Sequence, residues 1–312
     1  IMKITSWKPN LFVPGFPKTG STSLCEYLGQ HPKIFLGVPK EPSSLYSKPI
    51  LSPIWWRGNK KKNIPWINME GYKKIYQEKE NFSFRIDGSQ PYIFTGKKMA
   101  EKIKLFSPDA KVILVLRNPI ARAHSTYNFF YRNHRVKDFN KYMKEYLMKD
   151  LDTFLYEKVI KDYYDLFGNN LLIIDSKDLW KNPNKTLDQV FDWLNLEKIK
   201  IKELSANPTI ISATQPVFYR EIIVSIEHVI IWFMKLAQKI LSKLGLFYGH
   251  KWVKKVNPLA LFSKFISFLP LTKKSKKSYS SLKLPSELSK ILEKDYRKAL
   301  EFSKKKKIFL EL

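Results

Sequence analysis

The sequence predicts an α/β fold of three layers, with a central parallel sheet and a helical C-terminal region. Three observations lead there. Short apolar runs alternate with segments of helical periodicity, the pattern of strand–helix–strand units that build a parallel sheet. The run Lys111 to Leu116, KVILVL, is almost continuously apolar, as a central strand covered on both faces requires. The stretch Leu11 to Leu28, LFVPGFPKTGSTSLCEYL, passes from an apolar strand through a glycine-containing turn into the start of a helix.

That last stretch organises the chain. Leu11 to Val13 is the strand, and Pro14, Gly15 and Pro17 make the turn. Lys18-Thr19-Gly20-Ser21-Thr22-Ser23 follows, with Leu24, Cys25 and Leu28 on one helix face. Unpaired N–H groups at a helix start, aided by the helix dipole, favour an anion. Ser21, Thr22 and Ser23 add hydroxyl donors, and Lys18 adds a full charge. The loop is P-loop-like but departs from the G-x-x-x-x-G-K-[ST] pattern. Gly15 and Gly20 are correctly separated, yet the lysine precedes the second glycine. A plain N-cap is the simpler alternative.

The remaining elements follow in order. Gly29-Gln30-His31-Pro32 ends the first helix, and His31 reads as a helix-end residue in preference to a base. Lys33 to Val38 is a second strand, expected beside the phosphate loop. It leads to Pro39-Lys40-Glu41-Pro42, where Glu41 is either an ordinary loop carboxylate or one held at the mouth of a cleft. Residues 43–80 show no clear period. Trp55, Trp56 and Trp66 there serve either a substrate groove or the core. Phe82 to Ile86 is a strand running into the turn Asp87 to Tyr92, and 95–106 has helical spacing.

The strand Lys111 to Leu116 ends at Arg117-Asn118-Pro119, and a helix carries Arg122, Ser125 and Tyr127. Ligands of open α/β sheets bind beyond the carboxyl ends of the strands. Arg117 and Ser125, eight residues apart, are therefore expected to clamp a second anion, since a guanidinium matches phosphate with paired hydrogen bonds. A helix is expected over Asp152 to Phe167, a strand over Leu171 to Ile174, and another helix from Pro183 to Leu194. From Ile222 to Phe247, and again from Leu259 to Leu271, the pattern is helical and apolar, interrupted by lysines. These charges argue against a spanning helix. Core packing and a helix lying on an anionic membrane surface remain open. A basic, Ser-rich linker then leads to a helix from about Pro285. The chain is expected to be a single domain over 1–312, with an apolar and basic helical insertion at 217–282.

The 312 residues carry a net charge of +28, which predicts attraction to anions: nucleotides, acidic glycans, nucleic acid or lipid headgroups. Lysine runs such as 304–307 are expected to be solvated surface. Cys25 is the single cysteine, so an intramolecular disulfide is excluded. Together with the lack of a leader-like start, this leads us to expect a cytoplasmic protein, peripheral at the inner membrane face. No Cys/His spacing suits a metal, and none is expected.

Two motifs carry a resemblance. Pro14 to Ser23 resembles the 5′-phosphosulfate loop, and Val115 to Ser125 the 3′-phosphate motif, of sulfotransferases that use 3′-phosphoadenosine-5′-phosphosulfate (PAPS). Within these, the chain is similar to the carbohydrate branch, related to heparan sulfate sulfotransferases and their bacterial relatives. Weaker echoes are Lys40-Glu41-Pro42, Asp87 to Tyr92, Asp178-Leu179 with Pro183, and Leu284 to Leu300. The resemblance implies a sulfuryl transfer from PAPS to an acceptor hydroxyl by in-line displacement, without a metal. It implies that Lys18 and the loop residues Thr19, Gly20, Ser21, Thr22 and Ser23 hold the 5′-phosphosulfate. Arg117 and Ser125 would hold the 3′-phosphate, and Glu41 would be the general base. Asp87, Trp55 and Trp56 are candidate acceptor contacts. The acceptor is expected to be a glycan, a glycolipid or a small hydroxyl compound, with peripheral membrane contact through 222–271 and no specific nucleic acid. The heparan-type lysine before Thr-Pro or Ser-Pro is absent from Asp87-Gly88-Ser89-Gln90, and the loop covering the nucleotide is placed at 213–220.

Two other readings compete. One is a phosphate-loop kinase or ATPase, with Asp175 as its Mg²⁺-binding strand end; the displaced Lys18 argues against it. The other is a non-enzymatic basic protein that binds nucleic acid or membrane. The charge supports that reading, but no nucleic-acid motif does.

Overall fold

The computed structural model describes residues 7–57, 60–132, 138–202 and 283–311, with backbone alone for 51–57, 60–63 and 131–132. The expected 217–282 insertion, the 222–271 apolar region and the 213–220 loop lie outside the described residues. The chain divides into two compact units, one of Ile1–Thr126, Asp138–Leu204 and Leu284–Leu312, the other of Tyr127–Lys137 and Ser205–Lys283.

The first unit is built on a five-stranded sheet. Its strands are β1 (Leu11–Phe12), β2 (Ile34–Leu36), β5 (Phe84–Asp87), β6 (Lys111–Leu116) and β7 (Leu171–Asp175), in the order β2-β5-β1-β6-β7. All pairings are parallel, with Leu11 opposite Ile86 on one side and Lys111 on the other. The expected strand at 33–38 is therefore not beside the phosphate-loop strand, because β5 intervenes. The C-terminus adds a further edge: Ile173 N donates to Ile308 O at 2.7 Å, and Leu310 N to Ile173 O at 2.9 Å.

Alternation of side chains sorts the core into two faces. On β6, Val112, Leu114 and Leu116 pack with one cluster, Ile113 and Val115 with the other. The period of two in a buried strand does this without further instruction. The second face is covered by α1 (Ser21–Leu28), through Leu24, Cys25 and Leu28, and by α8 (Pro183–Leu194), through Leu187, Val190 and Phe191. The first face receives Tyr72 and Tyr76 of α2 (Met69–Tyr76), Met99 and Ile103 of α3 (Lys97–Phe106), and Ile160 and Tyr163 of α6 (Glu157–Phe167). Ala299 of the C-terminal helix α9 (Ser286–Lys305) joins them. This is the three-layer arrangement; β1 is the middle strand, and β6 beside it is buried on both faces.

Some elements differ from expectation. Residues 43–80 hold an antiparallel hairpin, β3 (Leu51–Arg57) and β4 (Lys60–Asn63), ahead of α2. The hairpin's lysine-rich second strand hides the apolar alternation by which strands are recognised. The helix expected over 152–167 is split into a 3₁₀ turn, Leu151–Phe154, and α6. The split has a cause at Tyr156. Its N–H donates to Asp295 Oδ2 at 2.6 Å, and that of Glu157 to Asp295 Oδ1 at 3.2 Å, so a carboxylate from α9 caps α6. Between β6 and α6 lie α4 (Pro119–Arg132) and the short α5 (Phe139–Tyr142), and α7 (Ser176–Lys181) follows β7.

Capping from so distant a residue ties α9 to the sheet. Asp295→Ala should lower the unfolding free energy by about 1–2 kcal/mol in urea denaturation, the range of a lost helix cap, with Asp295→Asn losing less.

Candidate functional site

The site lies where β1, β5 and β6 end. Gly15 begins the loop after β1 with no room for a side chain, since an added Cβ would sit 2.8 Å from Ser21 Oγ and 3.3 Å from Gln90 Cγ. Gly20 ends it at φ 105°, left-handed, as the N-cap of α1. Lys18 is also left-handed, at φ 65°, and its side chain is exposed. For a residue other than glycine that conformation costs roughly 1–2 kcal/mol, so something must hold it.

What holds it is a set of donors on three consecutive carbonyls. Thr19 Oγ1 donates to Phe16 O at 2.8 Å, Arg122 Nε to Pro17 O at 2.9 Å, and Arg117 Nη1 to Lys18 O at 3.0 Å. In a trans peptide the N–H points opposite to the C=O. Drawing the Pro17 and Lys18 carbonyls towards the β6–α4 arginines therefore turns the Lys18 and Thr19 N–H groups the other way. These join the first N–H groups of α1, which a helix leaves without internal partners. The Lys18 and Thr19 donors are thereby set on the side away from the arginines, next to the start of α1.

Arg122 is the anchor. It is fully buried, and its other two nitrogens donate to Phe154 O and Thr153 O. Its guanidinium lies 4.5 Å from the Phe154 ring centroid, 5.1 Å from that of Tyr156 and 5.3 Å from that of Phe16. Carbonyl dipoles and ring faces thus satisfy a buried cation. Tyr156 completes the support: its hydroxyl donates to Arg117 O at 2.9 Å, and its ring meets Phe16 edge-on at 4.6 Å.

The other expected residues are distributed as follows. Arg117 and Ser125 are both partly exposed, at the end of β6 and on α4. Thr22 is exposed and Ser23 partly so, whereas Ser21 is buried against Gly15. The Thr19 hydroxyl is spent inside the loop, so that residue can offer a ligand only its backbone. Glu41 is at the sheet's carboxyl edge with Oε1 2.7 Å from Lys40 Nζ. Trp55 and Trp56 stand on β3, with only their backbone described.

Asp87 departs from the role of an acceptor contact. It is fully buried; Oδ2 accepts from Tyr72 at 2.5 Å and from Tyr92 at 3.1 Å, and Oδ1 from Ser89 N at 2.9 Å. Buried and held by three interior donors, it shapes the turn and does not face a ligand. Asp175 is similarly engaged. It caps α7 through Lys177 N and accepts from Tyr296, which leaves little of it for the cation that the ATPase reading requires. His31 is structural: Nδ1 accepts from Lys33 N, so Nε2 donates to Glu197 O.

Sequence reasoning missed three contributors. Arg122 was part of a motif but had no assigned task. Tyr156 carries no motif signal, since its partners are distant in the chain. Trp180 of α7, 44% exposed, lies beside Gly20, with Nε1 3.5 Å from where a Cβ would be. Among the described residues, no helix is long and apolar enough to cross a membrane.

Residues 8–210 match the family model described as the sulfotransferase domain. Over 124 residues, 39% of this chain, the sequence is 30% identical to the membrane-associated sulfotransferase kil1 of Dictyostelium discoideum; the match covers 23% of that protein. Among solved structures it is similar to a sulfotransferase from Alicyclobacillus acidocaldarius, with 21% identity, 64% of this chain and 87% of that one covered, and a TM-score of 0.49. It is also similar to the sulfotransferase domain of the Synechococcus PCC 7002 olefin synthase, with 18% identity, 61% and 74% covered, and a TM-score of 0.41.

Two outcomes follow from this geometry. Arg122→Met strands three buried carbonyls and should cost about 3 kcal/mol or more in denaturant unfolding, each unsatisfied group contributing roughly 1–3 kcal/mol. Arg122→Lys, which keeps the charge but loses the fork, should recover only part of that loss. The second outcome concerns pH. Burial pushes the Asp87 carboxyl above the ordinary carboxylate range, against the pull of its hydrogen bonds. The folded protein therefore holds that proton more tightly than the unfolded chain. Its stabilising contribution is complete below the unfolded value and is lost as pH rises through the folded one. The stability difference between wild type and Asp87→Asn should accordingly shrink as pH rises from about 4, measured by unfolding at a series of pH values.

Proposed function

Since the chain belongs to the sulfotransferase family, we propose that it moves a sulfuryl group from PAPS to a hydroxyl of an acceptor. The observation that carries this is the bond from Arg117 to the Lys18 carbonyl, which joins two anion-holding segments into one unit. A donor with phosphates at both the 5′ and 3′ positions suits such a pair.

In this reading the donor supplies an activated sulfuryl group, and the protein supplies charge and position. Lys18 and the amides of the loop and of α1 stabilise the negative charge that grows on the departing 5′-phosphate. Ser21, Thr22 and Ser23 offer further donors. Arg117 and Ser125 take the 3′-phosphate. Glu41 removes the proton of the attacking hydroxyl.

For the acceptor we favour a glycan or glycolipid, with a small hydroxyl compound as the alternative. The similarity of the motifs to the carbohydrate branch supports the first. The Dictyostelium relative is a membrane-associated sulfotransferase, which supports a peripheral membrane contact.

Calorimetric titration with 3′-phosphoadenosine-5′-phosphate tests the donor. Wild type should bind it in preference to ATP with Mg²⁺, and Arg117→Ala should bind it roughly 10- to 100-fold more weakly, equivalent to the loss of one charge-assisted hydrogen bond. Preference for ATP with Mg²⁺ would overturn the reading. Glu41→Gln should keep that affinity and lose about 10²- to 10⁴-fold in turnover, the span of general-base catalysis.

A further inference from the structure

The proposed base does not stand alone. Lys40 precedes it, and the lysine side chain turns back over the end of β5. Its Nζ lies 2.7 Å from Glu41 Oε1 and donates to Gly88 O at 3.1 Å. The backbone reinforces the arrangement, with Gly88 N donating to Lys40 O at 3.1 Å. Both side chains are largely shielded, with 18% of Lys40 and 21% of Glu41 exposed. An ion pair so placed is screened less than one on open surface.

Gly88 makes this path available. A Cβ there would come within 2.9 Å of both Lys40 Cγ and Cys25 Sγ. The lysine stem thus runs through a slot that any larger residue would close. The neighbouring groups leave the ammonium to Glu41. Burial, the largest influence, pushes the Cys25 thiol up to about 12, so it stays neutral and offers no competing anion. Asp87, the next carboxylate, is occupied by Tyr72, Tyr92 and Ser89. Prolines at 39 and 42 restrict the backbone on either side.

We infer that Lys40 is the positioning residue of the Glu41 base: its ammonium, threaded past Gly88, fixes Oε1 and leaves Oε2 for the acceptor proton. Among the described residues, Lys40 pairs with Oε1 and none bonds Oε2. The inference rests on the sulfuryl-transfer reading. It assigns the cation beside the base to the strand-end segment 38–41, in a chain whose 87–90 turn holds glycine there.

Turnover with water as acceptor tests it without knowledge of the natural substrate. Water oxygen bonds to sulfur, the bond from sulfur to the 5′-phosphate oxygen breaks with its electron pair, and the water proton passes to Glu41. Release of sulfate and bisphosphate from PAPS is followed in wild type, Lys40→Met, Lys40→Arg, Glu41→Gln and the double variant Lys40→Met/Glu41→Gln. Bisphosphate affinity is measured on each by calorimetry. Lys40→Met should lose about 10²-fold in kcat, the effect of misplacing a catalytic group, while bisphosphate affinity stays within about twofold. Lys40→Arg should recover most of the rate. In the Glu41→Gln background the Lys40 change should have no further effect, because the two act as one unit. A Lys40→Met enzyme with wild-type kcat overturns the inference, as does a loss that multiplies fully with that of Glu41→Gln. If Lys40→Met fails to fold, Lys40→Arg decides: a rate below that of Glu41→Gln places Lys40 outside the base's support. A wild type that binds the bisphosphate yet leaves PAPS intact also counts against a base held for proton removal. A wild type that binds no bisphosphate overturns the sulfuryl-transfer reading instead.

Discussion

Three carbonyls in succession, those of Phe16, Pro17 and Lys18, are held by hydroxyl and guanidinium donors, and the proposed anion site depends on that restraint. An unrestrained loop of this composition would pay conformational entropy each time it closed on a ligand. Here the Phe16, Pro17 and Lys18 peptide planes are already fixed by their own donors. Two of the three restraints come from the segment that follows β6. Strand β6 therefore does more than fill the core, because its carboxyl end carries the groups that shape the loop after β1.

The restraint extends to the C-terminal helix. Asp295 caps α6 at Tyr156 and Glu157, and Tyr156 supports Arg117 while flanking Phe16 and Arg122. Tyr296 reaches Asp175 at the end of β7. A residue late in the chain is thus connected, through packed groups, to the loop after β1 near its start. Buried polar networks of this kind are costly when incomplete, and here the members named are each satisfied.

Much of the scaffold was legible along the chain. KVILVL read as a strand buried on both faces, which it is, and the loop after Leu11 is proposed as an anion site on its glycines, hydroxyls and lysine. Arg117 and Ser125 were proposed from their place after that strand, and the structure puts both, partly exposed, at its carboxyl end and on α4. The hairpin at 51–63 was not legible, because its second strand is mostly lysine. Asp87 was misjudged for a different reason. A carboxylate in a turn has the same letters whether it faces solvent or three buried donors, and only the positions of Tyr72 and Tyr92 distinguish the two.

The sequence by itself determined the parallel sheet, the strand–loop–helix proposed to bind phosphate and the positions of charge, since each follows from local periodicity and residue chemistry. Tertiary structure alone decided which charges act on which groups. Arg122 became a buried anchor and Arg117 a bridge, Lys40 turned back to Glu41, and Asp295 capped a helix far from it in sequence. These are contacts across strand ends. Their existence depends on strand order, on β5 entering between β1 and β2, and on the slot that Gly88 leaves open. Such distances are set by packing in three dimensions, and no spacing along the chain encodes them.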